Sequence, residues 1–213
     1  MRTTELLLLG AGGLAREAIE ATQSGRSGVQ AIGYLDDDER KQGRSIGGLP
    51  VLGPTTDAGT VEATVLLVAA VAAAADPQRR SRLVQRLGLP DQRYGEIIHP
   101  RACLAPSTRL AVGVIVLAGV VATCDVSIGR HVVLMPNCVL THDVVLGDGC
   151  TLASAVLLSG GVVVEPGAYL GTGASVREGV RIGAGAVIGM GAVVLSDVPP
   201  GEVWAGVPAR KLR

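Results

Sequence analysis

The sequence contains no phenylalanine, and aromatic residues make up only 2% of its 213 positions. An ordinary globular core uses aromatic side chains for bulk, whereas a narrow core of repeated aliphatic layers has no need of them. The formal net charge is zero, so nothing favours nucleic acid or an anionic membrane as a partner. Hydrophobic residues still reach 48%, and the 30 glycines suit many tight turns. The composition therefore indicates a narrow aliphatic core.

The sequence also lacks cysteine pairs and long apolar segments. No CxxC pair and no metal-ligand spacing occurs among the cysteines, which are Cys103, Cys124, Cys138 and Cys150. A reduced, cytoplasmic protein is the simplest interpretation. The apolar run Leu6–Leu9 ends at Gly10 and is too short for a signal sequence or a membrane span. We expect the segment Glu5–Leu9 to form a buried strand.

The dominant feature is a six-residue period from Ile98 to Val194. In steps of six from Ile98, sixteen of the seventeen positions are Ile, Leu or Val. The phase four residues later is small or aliphatic, and it includes Cys138 and Cys150. A helix repeats near 3.6 residues and a strand near 2, so neither explains this period. A hexapeptide period is typical of a parallel β-helix, in which both cysteines would fill the core.

Before the repeat, strand and helix patterns alternate. The strand Glu5–Leu9 leads into the glycine turn Gly10-Ala11-Gly12-Gly13 and a helical pattern, an order that aims backbone N–H groups at a phosphate. The spacing Gly10-x-Gly12-x-x-Ala15 approximates the dinucleotide fingerprint, which is weak evidence alone. The strand pattern Gln30–Leu35 ends in Asp36-Asp37-Asp38, whose carboxylates either accept hydrogen bonds from a ribose or base or belong to a solvated turn.

The rest of this region completes a small α/β domain over residues 1–97. Thr64–Val71 reads as a central parallel strand, and Asp76-Pro77 is predicted to cap a basic helix that continues to about Leu87. The β-α-β order predicts a Rossmann-like half domain. Because a full dinucleotide-binding domain needs more chain, one nucleotide is the better fit. We expect this domain to cover one end of the β-helix, and the segment from Asp197 onward to close or leave the other.

Candidate catalytic residues lie in the segment Thr141-His142-Asp143. The repeat directs Leu140 and Val144 inward, so His142 and Asp143 should lie at an outward corner. An imidazole beside a carboxylate is a plausible general base with an orienting partner, and the alternative is a surface histidine in a turn.

The other histidines offer less. His131 has no acidic neighbour in the sequence and is expected to be solvated, and His99 before Pro100 is expected to be structural. The three histidines occupy different phases of the repeat, so a shared metal centre is not predicted.

Four motifs together resemble a known family, the hexapeptide-repeat sugar O-/N-acyltransferases of the sialic-acid O-acetyltransferase and bacillosamine-pathway N-acetyltransferase type. They are Gly10-Ala-Gly-Gly-Leu-Ala-Arg-Glu17, Leu35-Asp36-Asp37, Thr141-His142-Asp143 and the tail from Val198-Pro-Pro-Gly to Gly206-Val-Pro-Ala-Arg. The resemblance spans essentially the whole chain. It implies a Rossmann-like half domain at residues 1–97 and a left-handed parallel β-helix with three hexads per coil at residues 98–213. It also implies a homotrimer with active sites between adjacent prisms, acetyl-CoA as acyl donor, and no metal.

The resemblance also assigns expected roles to single residues. His142 would be the general base, Asp143 its orienting acid, and the backbone N–H near Gly160 the oxyanion donor. Acetyl-CoA is expected near Gly160, Gly189 and Arg210. A sugar or nucleotide-sugar acceptor is expected near Gly10, Gly12, Gly13, Leu14, Asp36, Asp37 and Met135.

Three residues depart from the family pattern. Leu14 stands where members of the sugar-nucleotide branch often have His, Met135 where they often have Asn, and Thr151 where a second His follows the base. The leading hypothesis is an acetyl-CoA-dependent acyltransferase for an amino or hydroxyl group of a sugar nucleotide or related metabolite. A non-catalytic trimeric regulatory or binding subunit, and an acyltransferase for a small non-nucleotide acceptor, are the alternatives.

Overall fold

The computed structural model describes residues 3–24 and 28–212. The described residues before the repeat form a five-stranded sheet with two α-helices. The strands are β1 (Thr4–Leu9), β2 (Val29–Leu35), β3 (Ser45–Ile46), β4 (Leu49–Gly53) and β5 (Leu66–Ala69), and the helices are α1 (Gly13–Gln23) and α2 (Arg79–Leu87). Short 3-10 helices span Thr55–Gly59 and Asp91–Arg93.

The sheet has the order β3-β4-β2-β1-β5, with β1 parallel to both β2 and β5. Strand β1 is apolar on both faces because both faces of the sheet are covered there. Leu6 and Leu8 pack on the side of α1, whereas Leu7 and Leu9 pack on the side of Leu83 in α2. The chain order reverses between β1 and β5, which is where doubly wound sheets leave a crevice at the carboxyl ends of their strands.

Helix α2 begins later than the sequence predicts. Its first residue is Arg79, and Gln78 rather than Asp76 occupies the N-cap position. The Asp76 carboxylate pairs with Arg82, and the Asp76 carbonyl accepts the N–H of Arg79 in the preceding turn. Asp76 therefore cannot act as the helix cap, and that prediction is wrong.

Two-residue strands follow at intervals of six residues, as the period predicts. Seventeen of them lie in the described chain: β6 (Ile97–Ile98), β7 (Cys103–Leu104), β8 (Arg109–Leu110), β9 (Ile115–Val116), β10 (Val121–Ala122), β11 (Ser127–Ile128), β12 (Val133–Leu134), β13 (Val139–Leu140), β14 (Val145–Leu146), β15 (Thr151–Leu152), β16 (Leu157–Leu158), β17 (Val163–Val164), β18 (Tyr169–Leu170), β19 (Ser175–Val176), β20 (Arg181–Ile182), β21 (Val187–Ile188) and β22 (Val193–Val194).

From β9 onward, each of these strands pairs in parallel with the third strand before it, so that Leu140 lies between Ala122 and Leu158. This pairing produces a three-sided parallel β-helix, here called the prism. Sheet one contains β7, β10, β13, β16, β19 and β22, sheet two contains β8, β11, β14, β17 and β20, and sheet three begins with β6, β9, β12, β15, β18 and β21. The predicted β-helix is confirmed.

The prism core is aliphatic and small, as predicted. Cys138 and Cys150 are fully buried in it. Burial raises the pKa of the Cys138 thiol to about 11 and that of Cys150 to about 12, so both are neutral packing groups. The predicted interior position of these two cysteines is confirmed.

The corners of the prism follow three columns in which the backbone has positive φ. Most of these positions are glycine, and the others include Asn and Asp, which tolerate this conformation better than most residues. The columns are Gly113, His131, Gly149, Gly167 and Gly185; Gly119, Asn137, Ala155, Gly173 and Gly191; and Asp125, Asp143, Gly161 and Gly179.

The two ends of the prism differ. At the C-terminal end, β23 (Val203–Ala205) joins sheet three beside β21, and β24 (Arg210–Lys211) folds back antiparallel to it. Trp204 and Ala209 pack against the core there, so the tail closes this end as expected.

The N-terminal domain packs on a side of the prism rather than over its end. The outward side chains of sheet three, among them Ile97, Ile115 and Val133, join one cluster with Leu6 and Leu8. The inward residues of the first coil stay only half-buried: Ile98, Leu104 and Leu110. The prediction that this domain covers the end is therefore wrong, because the outward apolar side chains of sheet three pack against the domain instead. Among the described helices, none is long and apolar enough to cross a membrane.

Candidate active site

His142 and Asp143 lie together at the corner between β13 and β14. Nδ1 of His142 is 2.8 Å from Oδ2 of Asp143, and each side chain is 66% exposed. Asp143 adopts the left-handed conformation with φ 61, and its N–H donates to the carbonyl of Cys124 one coil away at 3.0 Å. The corner geometry thus fixes the backbone beneath the pair.

The contact between the two side chains determines which ring nitrogen is available. An ionised carboxylate only accepts hydrogen bonds, so Nδ1 carries the proton that it donates to Asp143. The other nitrogen, Nε2, then presents a lone pair to solvent and can accept a proton. This arrangement can serve as a general base.

Gly160 lies one coil further along the same corner and is in contact with the imidazole. A Cβ at Gly160 would overlap Cε1 and Nε2 of His142. The N–H of Gly161 donates to the His142 carbonyl at 2.9 Å, whereas the N–H of Gly160 has no partner within the described residues. A free backbone donor next to a candidate base is the combination that stabilises a developing oxyanion.

A second feature is a cavity of about 740 Å³ at the carboxyl ends of β1, β2 and β5, here called the strand-end cavity. Its walls include Gly10 and Asp36, which directly follow β1 and β2, and Val71, which lies two residues after β5. Gly10 has φ 100, and a Cβ there would lie 2.5 Å from Val71. Only glycine therefore lets β1 and β5 lie so close at the floor of the cavity.

Asp36, which lines this cavity, already holds the glycine turn together. Its Oδ2 accepts the Ala11 N–H at 2.7 Å and the Lys41 ammonium at 3.0 Å, and its Oδ1 accepts the Asp38 N–H at 2.9 Å. Burial alone would raise the pKa of Asp36, but these donors outweigh burial and lower it. Asp36 is therefore an ionised structural acceptor.

Asp37 is also engaged by the protein. Its Oδ1 accepts the N–H and the hydroxyl of Thr55 at 2.8 and 2.6 Å, and its Oδ2 accepts Arg86 at 2.9 Å. Burial pushes the pKa of Asp37 upward, and the hydrogen bonds from Thr55 and Arg86 more than reverse that shift. The structure brings Gly10, Asp36 and Asp37 to one cavity, as the sequence suggested, but neither carboxylate is free.

The sequence reasoning missed the basic side of this cavity. Arg79, Arg82 and Arg86 project from α2 at positions i, i+3 and i+7 and line it. The arginines between Arg79 and Arg86 could have indicated a basic surface, but this segment was interpreted only as a helix.

Arg80 points the other way from α2 and is buried. Its guanidinium donates to the Val71 carbonyl at the end of β5 and to oxygens of the prism, which belong to His131, Gly149, Cys150 and the hydroxyl of Thr151, over 2.6 to 2.9 Å. Burial lowers the pKa of Arg80 to about 10, so it stays charged at neutral pH. Arg80 fastens α2 to the prism, and Thr151 is part of that fastening.

The remaining acceptor candidates lie outside the lining of the strand-end cavity. A Cβ at Gly12 or Gly13 would meet nothing within 4 Å. Leu14 and Met135 both pack against the apolar cluster between the N-terminal domain and sheet three. These two departures from the expected family pattern thus share one apolar cluster.

The predicted acetyl-CoA residues are spread along the prism. The Gly189 N–H donates to the Trp204 carbonyl at 2.8 Å, and the exposed Arg210 donates to the Ala209 carbonyl at 2.8 Å. Both lie at the C-terminal cap, apart from the corner of His142. Their proposed contact with the donor stays a prediction.

The other histidines differ from expectation in one case. His99 accepts the Arg101 N–H in a turn, which agrees with a structural role. His131 is only 7% exposed, so the prediction that it is solvated is wrong. The Tyr94 ring packs edge-on against it with centroids 4.6 Å apart, and α2 covers the same corner. Within the described chain, no group of three or more His, Cys, Asp or Glu residues could hold a metal ion.

Within one chain, the strand-end cavity and the corner that carries His142 lie apart. The strand-end cavity is walled by α2, which lies over the corner between sheets two and three, where Gly149 contacts Ser81. The His142 corner lies between sheets one and two, opposite the face that carries the N-terminal domain.

Two family models match the chain, the PglD N-terminal domain at residues 5–87 and the bacterial transferase hexapeptide (six repeats) at residues 125–160 and 161–196. No curated protein sequence matched the chain.

Similar solved structures cover nearly the whole chain. A histidine-to-alanine variant of GDP-perosamine N-acetyltransferase from Caulobacter crescentus, in complex with CoA and GDP-perosamine, is 34% identical with a TM-score of 0.86, and the match covers 97% of this chain and 95% of that one. The acetyltransferase domain of PglB from Neisseria gonorrhoeae FA1090, in complex with acetyl coenzyme A, is 27% identical with a TM-score of 0.88 over 98% of this chain and 99% of that one.

Proposed function

The chain belongs to the hexapeptide-repeat sugar acyltransferases, and we propose that it transfers an acetyl group from acetyl-CoA to an amino or hydroxyl group on a nucleotide-linked sugar. The observation that carries the proposal is the exposed His142–Asp143 pair in contact with Gly160, whose N–H is free within the described residues. A relative that is 34% identical was solved with CoA and a GDP-linked amino sugar, which supports the same reaction class.

In the proposed reaction His142 removes a proton from the acceptor. The amine or hydroxyl attacks the carbonyl carbon of the thioester while Nε2 takes the proton that the attacking atom loses. The Gly160 N–H receives the carbonyl oxygen as it becomes negative. When the C–S bond breaks, the sulfur leaves with the electron pair and takes up the proton from Nε2.

The energetic demands on the protein are modest because the thioester is already activated. A positioned base and an oxyanion donor each contribute roughly 10²- to 10³-fold. Asp143 keeps the proton on Nδ1 and holds the ring orientation, so Nε2 remains the basic atom through the cycle. The residues described supply these groups without a metal ion.

We place the acceptor nucleotide in the strand-end cavity and the acyl donor along the prism near Gly160, Gly189 and Arg210. Because one chain holds the cavity and the His142 corner apart, a complete site needs the cavity of one chain against the corner of a second. This supports the homotrimer with sites between prisms, an arrangement in which each interface repeats around a closed ring. The exposed position of the catalytic pair agrees with a neighbouring chain that covers it.

The test is a thiol-release assay with acetyl-CoA against UDP-, dTDP-, GDP- and CMP-linked amino sugars and hydroxyl sugars. We expect acceptor-dependent release with one nucleotide class, and a loss of at least ~10²-fold in kcat for His142→Ala with an unchanged fold. Undiminished activity in His142→Ala would remove the base assignment.

The non-catalytic alternative is separated by calorimetry. An acetyltransferase binds acetyl-CoA, whereas a regulatory subunit has no reason to do so. Absence of both acetyl-CoA binding and thiol release would favour the regulatory subunit. If thiol release required a small amine and free nucleotides did not compete, a non-nucleotide acceptor would be indicated.

A further inference from the structure

We propose that the strand-end cavity binds the diphosphate of its acceptor through Arg79 on α2, and not through the glycine turn after β1. This inference deepens the proposed function and rests on it for the identity of the acceptor. The anion site itself depends only on the residues of the cavity.

Four carboxylates and four cationic side chains line the cavity, and their pairing leaves one cation, Arg79, without an acid. Three carboxylates have basic partners on the cavity wall: Asp36 with Lys41, Asp37 with Arg86, and Asp76 with Arg82. The fourth, Asp38, is paired with the exposed Arg40 at 2.9 Å.

Arg79 is the remaining charged group on the wall. It makes no ion pair or side-chain hydrogen bond within the described residues and is solvent-exposed. Because Asp38 is neutralised by Arg40 from outside the lining, Arg79 is the lining charge left without a partner within the described residues. An anionic ligand group is therefore favoured beside Arg79.

The first two N–H groups of the glycine turn, those of Gly10 and Ala11, are already used by protein groups. The Gly10 N–H donates to the Leu35 carbonyl at 2.7 Å, and the Ala11 N–H donates to Asp36 Oδ2 at 2.7 Å. Of the four turn residues, only Gly10 lines the cavity, and its N–H is already used. The Asp36 carboxylate, which is ionised because its pKa is lowered, would also repel a phosphate placed beside Ala11.

The position of Arg79 on α2 suits a group with two phosphates. Arg82 lies three residues further on the same helix face and also lines the cavity. Arginine binds phosphate oxygens with a planar fork of donors, so one phosphate can be held by Arg79 alone. The second phosphate can share Arg82 with Asp76. Arg80 keeps this face directed at the cavity because it anchors the opposite side of α2.

The inference is tested by calorimetry with GDP, UDP and dTDP and with the matching nucleosides. Arg79→Gln should weaken nucleoside diphosphate binding by about 10-fold or more and reduce its salt dependence, while nucleoside binding changes little. Gly13→Ala tests the competing location, since the methyl group fits the free protein but would obstruct a phosphate on the turn. The loss in Arg79→Gln should exceed the loss in Gly13→Ala.

Arg44→Gln is the matched control, because Arg44 is an exposed arginine of the same domain that does not line the cavity. It should bind nucleoside diphosphates as the unmodified chain does. A larger loss in Gly13→Ala than in Arg79→Gln, equal binding in Arg79→Gln, or no nucleoside diphosphate binding at all would each overturn the inference.

These outcomes remain distinct from those of the proposed function. If Arg79 governs nucleoside diphosphate binding but no sugar in the panel releases thiol, the anion site stands and the acetyl transfer fails. If thiol is released and Arg79→Gln keeps its acceptor KM, the transfer stands and the anion site fails.

Discussion

At the scale of single residues, Gly160 limits what can lie beside the imidazole of His142. Its φ is not in the left-handed region, so glycine is required here for space and not for backbone conformation. A methyl group would overlap two ring atoms, and the exposed ring can move away. The cost would therefore fall on the placement of the base rather than on folding.

We expect Gly160→Ala to lower kcat by about 10-fold or more with little change in the thermal midpoint, because the displaced Nε2 no longer meets the acceptor. Steady-state kinetics and a thermal scan measure the two effects. In a His142→Ala background the same substitution should add little, since both act through the imidazole. A further loss in the double variant would contradict this explanation.

His131 is the residue whose environment departs most from its sequence context. Burial lowers its pKa to about 4 from 6.5, Arg80 adds to the shift, and Asp148 and Asp91 oppose it. The unfolded chain takes up a proton near pH 6.5, while the folded chain does so only near pH 4. The contribution of neutral His131 to the free energy of unfolding is therefore fully present above pH 6.5. It falls as the pH drops toward 4, by up to about 1.4 kcal/mol per pH unit.

His131→Gln should flatten this dependence, because it removes the group that protonates on unfolding. Denaturant midpoints at pH 7 and pH 5 provide the measurement. An unchanged slope in His131→Gln would show that other groups cause the acid sensitivity.

At the scale of elements, α2 is the connection between the cavity and the prism. Arg80 alone carries most of the polar contacts between them, and its acceptors are backbone carbonyls and Thr151. Arg80→Met keeps the aliphatic stem but leaves those buried acceptors unpaired. We expect a loss of about 3 kcal/mol in the free energy of unfolding, together with a raised acceptor KM.

Chemical denaturation and acceptor kinetics measure both effects of Arg80→Met. Arg93→Met is a suitable comparison, because Arg93 also donates to carbonyls, of Val61 and Glu62, but stays within one domain. It should reduce stability less and leave the acceptor KM unchanged. Equal effects of the two variants would mean that Arg80 has no special role in positioning α2 beside the strand-end cavity.

The same element shows what the sequence could and could not predict. The six-residue period predicted the strands, the inward cysteines and the corner of His142, because each follows from positions a fixed step apart. Arg80 contacts residues 51 to 71 positions away, and no local pattern records such contacts. His131 shares its column with Gly113 and Gly149, so the repeat placed it at a corner but could not show that α2 covers that corner.

The sequence likewise predicted part of the candidate site, and the rest depends on the three-dimensional structure. The glycine turn and Asp36-Asp37 were predicted to lie near one ligand, and they do line one cavity. That Asp36 is engaged by the Ala11 N–H depends on side-chain geometry that composition and spacing do not contain. The arginines of α2 reach this cavity only because the chain order reverses beside β1.

At the scale of the whole molecule, the proposed site joins two chains. A mixture of His142→Ala with a cavity variant that has weakened acceptor binding, such as Arg79→Gln, should gain activity at low acceptor concentration when the chains are unfolded and refolded together. Random assembly around a closed ring would restore about a quarter of the sites, those that combine an intact cavity with an intact histidine.

The same variants refolded separately and then mixed form the control, and they should show only the low residual activity of Arg79→Gln at that acceptor concentration while the assemblies do not exchange. Thiol release measures the recovery. No recovery after joint refolding would mean that the cavity and histidine serving one site belong to the same chain.

The unequal ends of the prism determine where thermal opening begins. In a stack of repeats each coil is held only by its neighbours, so a terminal coil opens at a lower free energy than an internal one. Leu104 and Leu110 are half-buried at one terminus, whereas Trp204 seals the other. The coil that carries Cys124 separates the loose terminus from His142. The first coil can therefore unfold locally while His142 keeps its position in the prism.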